Sequence, residues 1–130
     1  MGRILKYSEN DQIIKRGTID QRMFIILSGK VEILINDGLK TITLAMLGKN
    51  DFFGEITLFN KSPRTADAIA RSCVKLTYLD NVQELDDFLK LNHSFSRLMA
   101  KTLAERIATT NSLLLKELSG KSQSVSKFYW

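Results

Sequence analysis

Apolar and polar positions follow a period near two through the first eighty residues and switch to a helical period after residue 81. Arg3-Ile4-Leu5-Lys6-Tyr7 is a short mixed segment, and Ile13-Ile14 follows the polar turn Ser8-Glu9-Asn10-Asp11. Met23-Phe24-Ile25-Ile26-Leu27 is continuously apolar, the pattern of a strand covered on both faces. After the turn signal Ser28-Gly29-Lys30, Val31, Ile33 and Ile35 alternate with Glu32 and Leu34. Asn36-Asp37-Gly38 predicts a hairpin, because Asp-Gly tolerates the positive φ of such turns. Ile42, Leu44 and Met46 continue with period two until Leu47-Gly48-Lys49-Asn50, and Val74, Leu76 and Tyr78 alternate again. Short strands at this spacing predict a sandwich, barrel or jelly roll rather than parallel α/β units.

From residue 81, Val82, Leu85, Phe88, Leu89 and Leu91 fall at helical spacing, with Glu84, Asp86 and Asp87 toward the start, where they suit the helix dipole. Asn92-His93-Ser94 reads as a break, with Ser94 expected to cap a second, longer helix. There Phe95, Leu98, Met99, Leu103, Ile107, Leu114 and Leu118 form one broad stripe, and Gly120 stops it. Positions 103, 107, 110, 114 and 118 are close to a coiled-coil seam with Thr110 as its polar interruption, which predicts a homodimer. Residues 121–130 are polar until Phe128-Tyr129-Trp130 and read as a mobile tail or the start of a connection.

A length of 130 residues implies one domain, and 44% hydrophobic with 25% charged residues places it among soluble globular proteins. No apolar run approaches the roughly 18–20 residues that span a bilayer, and MGRILKYSEND lacks a signal peptide's apolar region. A cytoplasmic domain without a membrane partner is the expectation. The net charge of +5 is spread along the chain. It would help recruit an anionic ligand, but no helix-turn-helix pattern or basic-aromatic stripe suggests direct nucleic-acid binding. Cys73 stands alone, beside a strand where a small buried hydrophobe is expected. One histidine, His93, supplies neither a catalytic constellation nor a metal site, and no paired-carboxylate or Gly-x-Ser-x-Gly pattern occurs. The expectation is a protein that is not an enzyme and holds no metal or cofactor.

Asp51 to Ala70 is the stretch richest in chemistry. It reads as a strand end, a tight turn at Gly54, one helical turn over Glu55–Phe59, a loop, and a strand restarting near Arg64. So short a helix is marginal by itself, while its unpaired N–H groups suit an anion. Arg64, nine positions after Glu55, carries a planar charged fork suited to phosphate.

Phe53-Gly54-Glu55-Ile56-Thr57-Leu58 with Pro63-Arg64-Thr65-Ala66 resembles the phosphate-binding cassette of cyclic nucleotide-binding domains. Such domains occur in catabolite activator proteins, protein kinase A regulatory subunits and cyclic-nucleotide-gated channels. Gly17 and the run Met23 to Val31 are similar to the paired strands preceding that cassette, so the resemblance covers about residues 5–118. It implies an α+β domain over 1–118, with a jelly-roll-like antiparallel β-roll at 3–80, two C-terminal helices at 81–118 and a flexible tail at 119–130. It also implies reversible binding of a 3′,5′-cyclic nucleotide, with cyclic AMP leaned to slightly over cyclic GMP. Arg64 would pair with the cyclic phosphate alongside the backbone of Ile56 and Thr57, and Glu55 would accept from the ribose 2′-hydroxyl. Gly54 would let the backbone approach the sugar, and Thr65 and Ala66 would edge the phosphate beside Phe53. Thr110 and Asn111 correspond to the turn that reaches the purine in catabolite activator proteins.

Asp67-Ala68-Ile69 departs from the family's usual Thr or Ser, Val, then basic residue. Asp67 would add a negative charge near the phosphate if it faced inward, whereas strand alternation points it away. The resemblance implies that ligand shifts the helices after residue 81, with Phe95, Leu98 and Met99 as the repacking surface, toward a partner or a dimer mate. Two rival readings are a roll that has lost its ligand and serves as a docking or dimerisation module, and the sensor half of a transcription regulator without its DNA-binding part.

Overall fold

A computed structural model of the chain describes residues 3–119. The predicted stop at Gly120 and the tail over 121–130, with Phe128, Tyr129 and Trp130, lie outside the described residues. The described residues divide into two compact units, one ending at Asp87 and the other beginning at Phe88.

The first unit is built from eight antiparallel strands in two sheets. In one sheet the order is β1 (Leu5–Tyr7), β8 (Val74–Leu79), β3 (Met23–Ser28), β6 (Phe52–Phe53). In the other it is β2 (Gln12–Ile14), β7 (Asp67–Ala70), β4 (Val31–Asn36), β5 (Thr41–Leu47). Phe24, Ile26, Phe53, Val74 and Leu76 from the first sheet pack with Ile14, Val31, Leu47, Ala68 and Ala70 from the second. Met23 to Ile26 are all buried, as a run without polar positions predicts, and Leu27 at the strand's end is exposed. This is the jelly-roll-like β-roll that the family resemblance implies, one of the architectures the strand spacing left open.

The chain passes from one sheet to the other twice at one place, between β3 and β4 and between β7 and β8. Gly29 sits in the first crossing at φ +95, and a Cβ there would lie 2.3 Å from the Cys73 carbonyl oxygen in the second. The two crossings are tied by Arg71 N–H to Lys30 O at 2.8 Å and Lys30 N–H to Ser72 Oγ at 3.0 Å. Cys73 lies beside a strand as expected, directly ahead of β8, but is exposed rather than buried.

The alternation in β4 and β5 also differs from the expected phase. A bulge falls between Ile33 and Leu34, where Ile33 pairs Ala45 and Leu34 pairs Thr43, leaving Leu44 as the extra residue. An inserted residue reverses the faces beyond it. Hence Leu34 and Leu47 are buried, and Met46, expected on the apolar face, is 55% exposed. The strand expected to restart near Arg64 begins at Asp67. Arg64 instead bonds in a loop, its N–H to Thr18 O and its C=O to Gly17 N–H, both at 2.9 Å.

α1 (Glu55–Asn60) follows β6, buries Glu55, Thr57 and Leu58, and exposes Ile56 and Phe59. α2 (Val82–Leu91) buries Leu85, while Leu91, expected on its apolar stripe, is 85% exposed. α3 (His93–Ser119) occupies the second unit. It begins one residue before the expected cap. The Asn92 carbonyl accepts from Phe95 N–H (3.0 Å) and Ser96 N–H (3.3 Å), so the break is confined to Asn92 and Ser94 lies inside the helix. Within that unit, the rings of Phe88 and Phe95 meet edge-on at 5.1 Å.

Candidate functional site

β6 ends in Phe53, whose ring stacks on Phe24 with centroids 5.2 Å apart, and this anchors the turn at Gly54. Gly54 lies at φ +86. A Cβ there would sit 2.8 Å from the Arg22 carbonyl oxygen and 2.8 Å from Arg64 Nη1. The missing side chain thus admits a guanidinium, besides permitting a left-handed turn.

Arg64 is the centre of this cluster, with its side chain 2% exposed. Nη1 donates to Gly54 O at 3.1 Å and to Thr57 Oγ1. Nη2 donates to Arg22 O at 2.7 Å and lies 3.5 Å from Asp20 Oδ1. The guanidinium faces the Phe24 ring, 5.7 Å from its centroid. Nε is buried and has no hydrogen-bond partner among the described residues. Burial pulls the Arg64 pKa down, and the Asp20 charge and hydrogen bond oppose it. An arginine keeps its proton under such pressure, so a cation is held inside the roll.

Asp20 and Arg22 were not singled out from the sequence. Asp20 accepts from Arg22 N–H (3.1 Å), Nε (3.1 Å) and Nη2 (2.9 Å). Burial works to raise the Asp20 carboxyl, but the Arg22 hydrogen bonds and the charges of Arg22 and Arg64 bring it below its ordinary value. The Arg22 guanidinium lies 5.1 Å from the ring centroids of both Phe24 and Tyr78. The legible signal was an acid and a base two residues apart just ahead of an apolar strand. Nothing in that spacing points to residue 64.

The expected residues are distributed as follows. Phe53, Gly54, Glu55, Thr57 and Arg64 converge in the first unit. Glu55 is buried and acts on Arg64 as one of its opposite charges. Ile56 and Thr65 are exposed, and Ala66 is half-buried ahead of β7. Asp67 is turned to β2: its Oδ1 accepts from Arg16 N–H at 2.7 Å and Gln12 Nε2 at 3.4 Å. Thr110, exposed, and Asn111, half-buried, lie on α3 in the other unit. Among the described residues no three His, Cys, Asp or Glu side chains group as a metal site, and no helix is long and apolar enough to cross a membrane.

A family model described as "Cyclic nucleotide-binding domain" matches residues 4–92. A cGMP-dependent protein kinase of Plasmodium berghei (strain Anka) is 45% identical over 65 residues, covering 50% of this chain and 7% of the kinase. A CRP-like cAMP-activated global transcriptional regulator of Mycobacterium tuberculosis is 31% identical over 104 residues, 78% of this chain and 46% of the regulator. The chain thus spans less than half the length of these curated relatives. The crystal structure of the Thermus thermophilus catabolite activator protein is similar with a TM-score of 0.71 at 27% identity, covering 90% of this chain and 55% of that one.

Proposed function

This chain belongs to the cyclic nucleotide-binding domain family, and on that premise we propose that it reversibly binds a 3′,5′-cyclic nucleotide without doing chemistry on it. The domain that does so runs over residues 1–118. One observation carries the reading: a buried guanidinium, held among Gly54, Thr57 and Phe24, whose Nε has no partner among the described residues. A buried charge needs a matched partner, and Asp20 is shared between Arg64 and Arg22. A monoanionic cyclic phosphate supplies both the charge and the acceptors that a guanidinium fork fits. Glu55 accepts from the ribose 2′-hydroxyl, and Ile56, Thr65 and Ala66 border the phosphate.

The named relatives include one dependent on cGMP and one activated by cAMP, so they support a cyclic nucleotide without choosing its base. We lean slightly to cyclic AMP. Occupancy acts by population shift: ligand favours the arrangement of the helices after residue 81 that it binds more tightly. The signal passes to a partner or to a second copy of the chain through α3.

Calorimetry with cyclic AMP and cyclic GMP tests the reading directly. Arg64→Ala is expected to weaken binding by roughly 1.5–3 kcal/mol, about ten- to a hundredfold. An unchanged dissociation constant would put the phosphate elsewhere. One observation favours a roll that has lost its ligand: four of the five Arg64 donors already face Gly54, Thr57, Arg22 and Asp20. Absence of heat with both nucleotides would select that second reading.

A further inference from the structure

We infer that Thr57 is a positioning residue, whose side chain sets the phosphate-facing arginine rather than touching the ligand itself; this rests on the cyclic-nucleotide reading above. Thr57 is 1% exposed on α1, and its hydroxyl is committed in both directions. Oγ1 donates to Gly54 O at 3.1 Å and accepts from Arg64 Nη1. The same Nη1 donates to Gly54 O at 3.1 Å, which closes a three-membered ring of hydrogen bonds among Gly54, Thr57 and Arg64.

A hydroxyl has one proton, and here it goes to the Gly54 carbonyl. A cyclic phosphate monoanion carries no proton and offers only acceptors, so the Thr57 hydroxyl has nothing left with which to hold it. What the hydroxyl does is fix the guanidinium against the turn. The planar fork then has its Nη1 edge set by Gly54 and Thr57 and its Nη2 edge by the Arg22 carbonyl. A rigid fork pinned along two edges has a determined direction for its remaining donor, Nε. Preorganisation of this kind contributes affinity by removing the cost of ordering the arginine on binding.

Thr57→Val keeps the shape but removes both hydrogen bonds, whereas Thr57→Ser keeps the hydroxyl and loses only a methyl group. Calorimetry with the nucleotide that the parent binds is expected to show roughly tenfold weaker binding for Thr57→Val and a value within about threefold of the parent for Thr57→Ser. In an Arg64→Ala background, Thr57→Val is expected to cause no further loss, because its effect passes through the arginine. A purely structural role predicts instead that both Thr57 variants lose thermal stability while affinity is unchanged. Equal affinity of Thr57→Val and parent overturns this inference alone. Full additivity with Arg64→Ala does the same, since it would place Thr57 on the ligand. A parent that binds neither nucleotide overturns the cyclic-nucleotide reading, and this inference falls with it.

Discussion

Gly54 shows how much one absent methyl group determines here. Both Gly54 (φ +86) and Gly17 (φ +87) are left-handed, but a Cβ at Gly17 would meet nothing within 4 Å. Gly17→Ala should therefore cost only the conformational penalty, about 1–2 kcal/mol. Gly54→Ala adds a clash with the Arg22 carbonyl, which is backbone, and with Arg64 Nη1. It is expected to cost about 1–3 kcal/mol more and to weaken nucleotide binding as well, by displacing the guanidinium. Urea unfolding of both variants checks this, and equal losses would mean that the close approach is unimportant. The turn at Gly54 was legible because a Gly-Glu step between an aromatic pair and an apolar turn has few other meanings. Its second purpose was not. It depends on Arg22 and Arg64, which sit 42 residues apart and meet only through the tertiary fold.

Among the elements, the start of α2 has a tie to β1's flank that local pattern did not announce. Arg3 Nη1 and Nη2 donate to Glu84 at 2.6 and 3.1 Å, and Arg3 lies 3.3 Å from Asp80 and 5.1 Å from the Tyr78 ring centroid. Glu84 also accepts from Asp80 N–H at 3.0 Å, while Asn81 Oδ1 caps Glu84 N–H at 2.9 Å. These contacts, the Arg3 hydrogen bond foremost, hold the Glu84 carboxyl below its ordinary value. The folded pKa is the lower one, so the stability it contributes is complete above the ordinary glutamate pKa of about 4.3. That contribution is lost as pH falls through the folded value. Thermal melts at neutral pH and near pH 4 should show a shallower acid decline for Glu84→Gln than for the parent. Part of the decline should persist, because Asp20 and Glu32 are also lowered. Identical declines would remove the tie as a source of stability. The acidic start of α2 was readable from composition along the helix, and its arginine was not, because 81 residues separate them. The β4–β5 pair shows the complementary limit. Alternation predicted both strands, but one unpaired residue at Leu44 reversed the faces beyond it and put Leu47, not Met46, in the core.

At the scale of the whole molecule, the proposed sensor needs an outlet, and α3 is where we place it. α3 runs for 27 residues and has one buried residue, Met99, while Leu98 and Ile107 are 45% and 54% exposed. A helix of that length with apolar residues left to solvent would be stabilised by a second copy along the seam at 103, 107, 110, 114 and 118, which is the dimer we propose. Sedimentation is therefore expected to show a dimer at high concentration, and Ile107→Asp should return it to a monomer by burying a charge in the seam. A parent that stays monomeric at high concentration would end the proposal of self-association. If the dimer is also the outlet for the signal, ligand and dimerisation must be linked, and linkage is reciprocal. Any factor by which saturating nucleotide tightens or loosens the dimer must reappear as the ratio of nucleotide affinities measured well above and well below the dimer dissociation constant. Calorimetry at two protein concentrations supplies one side of that equality and sedimentation with and without nucleotide supplies the other. Affinities that do not change with concentration, in a chain that does dimerise, would show that the second copy holds α3 but does not read the ligand. The outlet would then have to be a different partner.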